Sequence, residues 1–119
     1  MKVTLERFEQ MVFEIAEEAL GRLTPELRLA AGQVVLSVDA EAPEDEPDLL
    51  GLYEGVPLTE RKPDDVFWEP DRITLFYAPL AAMCADEAEL RAEIRLTLIH
   101  EYAHFFGFEE AELAKRGWG

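Results

Sequence analysis

Residues 100–110 read HEYAHFFGFEE, a stretch in which two histidines four positions apart are followed by a glycine and two acids. Residues four apart in an α-helix lie one turn above each other, so the rings of His100 and His104 project from one helix face and can meet one metal ion. Glu101 lies beside that face, within reach of a water molecule on the metal. The stretch therefore predicts half of a tetrahedral zinc site with Glu101 as general base.

A catalytic zinc ion normally has three protein ligands, so the two histidines need a further donor. Gly107 is typical of a left-handed helix C-cap, which lets the chain double back directly after the helix. Glu110 then falls ten positions after His100, and it is the predicted third ligand. Glu109 and Glu110 would also suit the N-terminus of a following helix, which is the competing explanation for this acid.

Hydrophobic spacing and end signals outside this stretch predict an α+β fold in a single domain, 1–119. The expected helices cover 5–22, Pro25 to a stop at Gly32, about Asp86 to Phe106, and Glu109–Lys115, and the expected strands cover Gln33–Ala40 and Arg72–Ala78. Pro79 is expected to close the second strand.

Residues 41–71 form a long connection with five prolines and eleven acids against two bases. Connections of this length are uncommon inside compact domains unless they are functional or disordered. Residues 49–58 are too apolar for a solvated linker, so we expect this middle piece to pack on the domain, partly as a strand. Residues 111–119 contain no methionine that could lie under the metal. We therefore expect residues 49–58 to build the floor of the site.

The charge of the chain excludes several classes of partner. Acidic residues outnumber basic ones 26 to 11, and the net charge of −15 repels nucleic acid and anionic lipid. The sequence contains no apolar segment of signal-peptide or membrane-spanning length. Its single cysteine, Cys84, cannot form an internal disulfide. We therefore expect a cytoplasmic protein.

Three segments resemble the small bacterial zincin-like metallopeptidases, which have a minimal matrix-metalloprotease-like domain. The similar segments are HEYAHFFG at 100–107, GLYEGVPLTER at 51–61 and PDRITL at 70–75. The resemblance implies a small mixed sheet with an N-terminal helix and a central metal-binding helix. It also implies zinc held by His100, His104 and the acid at 110, with Glu101 as catalytic base. Members often carry aspartate where this chain has Glu110.

The expected function is zinc-dependent hydrolysis of peptide bonds by a zinc-activated water. We expect a peptide or protein substrate to pair with the strand at Arg72–Ala78, taken as a sheet edge, and the acidic loop to favour basic or neutral peptides. Tyr53, Tyr77 and Arg72 are the candidates for stabilising the oxyanion. The alternative function is a non-catalytic, zinc-stabilised peptide-binding module.

Overall fold

The computed structural model describes residues 1–66, 69–116 and 118 of the chain. The α-helices in that part are α1 (Leu5–Gly21), α2 (Pro25–Ala31), α3 (Tyr77–Ala82), α4 (Glu87–Phe106) and α5 (Glu110–Lys115). The strands are β1 (Val35–Asp39), β2 (Gly51–Glu54) and β3 (Arg72–Phe76), and a 3-10 turn covers Leu58–Glu60. These elements confirm the predicted α+β class.

Four of the five α-helices in the described part of the chain lie where the sequence predicts them, and α3 is not predicted. Oγ1 of Thr4 accepts a hydrogen bond from the backbone N–H of Arg7 at 3.1 Å and caps α1. Asp86 caps α4 in the same way. The bounds of the four predicted helices agree with the structure to within one residue. None of the described helices combines the length and the apolar character needed to cross a bilayer.

The strand order corrects one expectation. The order in the sheet is β1-β3-β2, with β1 parallel and β2 antiparallel to β3. The prediction that the strand at 72–78 forms a free edge is therefore wrong, because β3 is the central strand and is hydrogen-bonded on both sides. Which strands become neighbours depends on contacts between distant segments, and a local hydrophobic pattern does not contain that information.

The bounds of the predicted strands also differ from the structure. β1 is shorter than the predicted 33–40 segment, and β3 ends at Phe76, where α3 begins. Pro79 therefore lies in the first turn of a helix and does not end the strand. Proline is tolerated there because the first N–H groups of a helix have no intrahelical acceptor.

One apolar core joins α1, α4 and the sheet. Its largest fully buried side chains include Trp118, Tyr102, Phe8, Phe105, Phe106, Met11, Ile73 and Leu75. Leu50, Tyr53 and Leu58 pack against this core. The prediction that residues 49–58 pack on the domain, partly as a strand, is therefore confirmed.

Trp118 ties the chain after α5 back to the core. Its side chain is 1% exposed, and its ring packs edge-on against Tyr102 and Phe106. Its Nε1 donates a hydrogen bond to the backbone oxygen of Ala19 at 2.5 Å. Because α5 lies between α4 and this anchor, the anchor helps to fix the position of Glu110 at the start of α5.

Candidate metal centre

α4 presents two histidines on one accessible face. The side chains of His100 and His104 are 52% and 53% exposed. Their ring centroids lie 4.7 Å apart, with the ring planes tilted by 52°. The side chain of Glu101, between them in the sequence, is only 8% exposed. One helical turn thus brings together two imidazoles and a buried carboxylate, as the spacing predicts.

Gly107 turns the chain back toward the histidines. It has a left-handed conformation (φ 77°, ψ 22°), and its N–H bonds to the carbonyl oxygens of Ala103 and His104. α5 begins three residues later at Glu110, whose Oε1 lies 2.5 Å from Nδ1 of His100. The helix reversal therefore brings the predicted third donor into contact with the first histidine.

The predicted ligands lie together, but they are not arranged around a common point. The Glu110 carboxylate is hydrogen-bonded to Nδ1 of His100, and Nδ1 of His104 lies 3.9 Å from Oε1 of Glu101. Among the described residues, no group of three or more histidine, cysteine or acidic side chains has a geometry that could hold a metal ion. The side chains nevertheless fit zinc in kind, since imidazole and carboxylate are two of its usual donors.

Glu110 has two available roles at such a site. A direct ligand would place a carboxylate oxygen on the metal. An orienting partner would accept a hydrogen bond from one ring nitrogen of His100 and leave the other nitrogen for the metal, which is the common environment of metal-binding histidines. The contact with Nδ1 of His100 matches the second role as it stands.

The edge of β2 that faces away from β3 holds Glu101 in place. The N–H of Phe76 bonds to the carbonyl oxygen of Leu50 at 2.9 Å. In the antiparallel register of β2 and β3, the backbone groups of Gly51 and Tyr53 therefore point away from β3. The Tyr53 N–H donates to the carboxylate of Glu101.

Two opposing effects act on the proton affinity of Glu101. Burial raises its pKa above the usual value, and the two neighbouring histidines and the Tyr53 N–H offset part of that shift. A carboxylate that binds protons more tightly than a solvated one is better suited to act as a general base near neutral pH.

β2 approaches α4 closely because residue 51 is a glycine. A β-carbon on Gly51 would lie 2.7 Å from Cγ2 of Thr97 and 3.3 Å from Cγ of Glu101. These distances are too short for a larger residue without a shift of the strand or the helix. Gly51 therefore allows the approach through which Tyr53 reaches Glu101.

A buried charged network lies at the other end of Tyr53. Asp71 is 6% exposed, and its Oδ2 accepts hydrogen bonds from the Tyr53 hydroxyl at 2.5 Å and from the Arg61 guanidinium at 2.6 Å. Arg61 also lies over the ring of Phe105, 5.7 Å from its centroid. Tyr53 and Arg61 therefore meet at the carboxylate of Asp71, and Phe105 of α4 packs against both of them.

The three residues predicted as candidates for stabilising the oxyanion have side-chain contacts or positions away from the two histidines. The Tyr53 hydroxyl is engaged by Asp71, and the Tyr77 hydroxyl donates to the backbone oxygen of Val3. Arg72 is exposed at the start of β3, in register with Glu54. None of these contacts involves the two histidines.

In the sequence, Arg61 and Asp71 are marked only by belonging to the segments that carry the family resemblance. Nothing in the sequence pattern marks Trp118. No periodicity marks these residues, because each contributes one side chain from a different part of the chain. The two segments that contain Arg61 and Asp71 were the only available signal.

Tyr53→Phe should lower the free energy of unfolding by about 1–3 kcal/mol, because the buried Asp71 carboxylate loses a hydrogen-bond donor. Tyr77→Phe is the matched control. It removes a hydroxyl that donates to an uncharged carbonyl, so it should cost less, about 1 kcal/mol. Urea denaturation of both variants measures the difference, and equal losses would show that Asp71 does not depend on Tyr53.

Gly107→Ala should destabilise the protein by about 1–3 kcal/mol, because a non-glycine residue is strained in the left-handed region. An added β-carbon would also collide with Oγ1 of Thr59. Gly21→Ala is the control, since the same substitution there meets no atom within 4 Å. Thermal unfolding should separate the two variants, and equal stability would contradict the proposed strain.

Comparison with known proteins agrees with this architecture. The zincin-like metallopeptidase family matches residues 31–118 of the chain. Among solved structures, the chain is similar to a conserved hypothetical protein from Thermo thermophilus, with a TM-score of 0.57 and 26% identity, over 95% of this chain and 99% of that one. No curated protein matches the sequence. The α+β fold built around α4 is that of a minimal zincin-like domain, and the chain belongs to the zincin-like metallopeptidase family.

Proposed function

We propose that the protein is a zinc-dependent hydrolase of peptide bonds. The observation that carries this proposal is the position of Glu101, a carboxylate 8% exposed beside two imidazoles that are half exposed. A buried acid needs compensation for its lost hydration, and a role as proton acceptor at an accessible site accounts for its position. Family membership supports the same reaction class.

His100, His104 and Glu110 are the residues that would hold zinc. Bound there, zinc would supply a Lewis acid that polarises the scissile carbonyl and lowers the pKa of water. For the carboxylate of Glu110 to act as a ligand, it must leave Nδ1 of His100 and face the same point as both rings. The reversal at Gly107 and the anchor at Trp118 keep it next to the ring of His100.

Glu101 would carry the proton transfers. Its carboxylate takes a proton from the water whose oxygen adds to the carbonyl carbon. It then returns that proton to the amide nitrogen as the C–N bond breaks, which leaves a carboxylic acid and an amine. The acid gives its own proton to the amine or to solvent and becomes a carboxylate. The hydrogen bond from the Tyr53 N–H fixes the carboxylate during both steps.

The substrate peptide is proposed to pair with β2, since β3 is the central strand of the sheet. In the part of the chain that the structure describes, β2 is an edge strand next to α4. The N–H and C=O groups of Gly51 point away from β3. An extended peptide that formed backbone hydrogen bonds with Gly51 would lie between β2 and the histidines. Main-chain pairing of this kind is a common mode of peptide recognition.

Purified protein with measured zinc content, incubated with a peptide library, tests the proposal. We expect about one zinc per chain and cleavage of peptides, with both lost in His100→Ala. Zinc-loaded protein that binds peptides tightly and cleaves none of them would contradict the proposal and favour a zinc-stabilised binding module.

A further inference from the structure

A groove begins beside His100 and runs along α4 toward the N-terminus of that helix. It has a volume of about 520 Å³ and lies between residues 48–51 and the helix. Glu93 and Leu96 line it on the helix side, and His100 stands at one end. Because these helix positions follow one another at intervals of three or four residues, the groove is parallel to the helix axis.

Three leucines give the groove an apolar section. Leu49 and Leu50 form one wall, and the opposite wall carries Leu96, which is 59% exposed. A leucine this exposed contributes little hydrophobic free energy to folding. It would contribute more to binding, because an apolar side chain of a peptide lying on it would bury its surface.

The groove carries only negative charge away from the histidines. Asp48 lines it from the segment before β2 and Glu93 lines it from α4, and none of its described lining residues is a lysine or an arginine. Glu93 lies seven residues before His100, about 10 Å along the helix at about 1.5 Å per residue. An extended peptide covers that distance with about three residues, at about 3.3 Å each.

We propose that this groove, lined by Asp48, Leu49, Leu50, Glu93 and Leu96, selects peptides in which a lysine or arginine neighbours an apolar residue close to the scissile bond. The apolar side chain lies on Leu96 between the two walls, about two residues from the histidines by the same spacing. The cation lies between the carboxylates of Asp48 and Glu93. This selectivity rests on the proposed peptidase function, since it concerns the substrate of that same site.

Binding of short peptides tests the proposal without relying on cleavage. The probes are capped hexapeptides with a leucine followed by a lysine, a leucine followed by a glutamate, and an alanine followed by a lysine. Their affinity for Glu101→Gln protein in zinc-containing buffer is measured by fluorescence anisotropy. We expect the leucine–lysine peptide to bind about tenfold more tightly than the leucine–glutamate peptide.

Two variants locate the selectivity in the groove. Asp48→Asn combined with Glu93→Gln should reduce the preference for lysine over glutamate to less than about twofold. Leu96→Ala should weaken binding of the leucine–lysine peptide by about fivefold and leave the alanine–lysine peptide unchanged. Glu9→Gln combined with Glu17→Gln is the matched control, because it removes two exposed acids of α1 outside the groove.

Two results would overturn the inference. One is equal affinity for the lysine and glutamate peptides. The other is a control variant that loses as much preference as the groove variant, since the preference would then come from the net charge of −15. Selective binding by a protein whose wild-type form cleaves nothing would contradict the proposed peptidase function alone. Cleavage without selectivity would contradict the groove alone.

Discussion

Replacing Glu101 with glutamine should abolish peptide cleavage and leave zinc binding unchanged. Glutamine has nearly the same shape, its oxygen can still accept the Tyr53 N–H, and residue 101 is not one of the proposed ligands. The glutamine side chain cannot take a proton from water, and loss of a general base lowers rates by about 10²–10⁴-fold. The measurement is kcat/KM on a cleaved peptide, together with metal analysis of the same sample.

Glu17→Gln is the control for this prediction. It removes the same unit of charge from an exposed position on α1, so cleavage should continue at the wild-type rate. If Glu101→Gln protein with full zinc occupancy cleaved peptides as fast as the wild type, Glu101 would not be the base and the proposed mechanism would be wrong.

Removing the carboxylate of Glu110 should weaken zinc binding severely, and two substitutions separate its available roles. If Glu110 is a direct ligand, Glu110→Ala and Glu110→Gln should both lower zinc affinity by more than about a hundredfold, because an amide is a poor substitute for a negatively charged donor. If Glu110 only orients His100, the alanine variant should lose about 10–100-fold. The glutamine variant should then lose much less, since its amide oxygen still accepts from Nδ1. We expect the first pattern.

Competition with a chelator of known affinity measures these constants. Glu109→Gln is the matched control, because it changes the neighbouring acid, which is exposed and has no proposed contact with the histidines. It should bind zinc as the wild type does. Unchanged affinity in Glu110→Ala would remove Glu110 from the site and leave the two histidines without their proposed third donor.

Four of the helices, α1, α2, α4 and α5, and the pairing of His100 with His104 could be predicted from sequence because both depend on local geometry. A helix brings residues four apart to the same face wherever it lies in the fold, and caps such as Thr4 and Asp86 act within their own turn. The reversal at Gly107 is local in the same sense, since its left-handed conformation is one that glycine adopts readily.

The sheet order and the surroundings of Glu101 could not be predicted in this way. β2 neighbours β3 and α4 through pairing between segments about twenty and fifty residues apart, and hydrophobic alternation is the same for a central strand and an edge strand. This is why the sequence alone predicts β3 at the edge. The hydrogen bonds from Tyr53 and Arg61 to Asp71 also join distant segments.

The sequence by itself determined the chemistry that is available: two imidazoles and a carboxylate on one helical turn, and an acid returned to them by a glycine. Those relations are set by backbone geometry over about ten residues. The tertiary structure decided which strand edge faces the histidines, what holds Glu101, and which side chains line the groove beside it. Burial and strand pairing depend on how the whole chain packs, and a local pattern does not encode that packing.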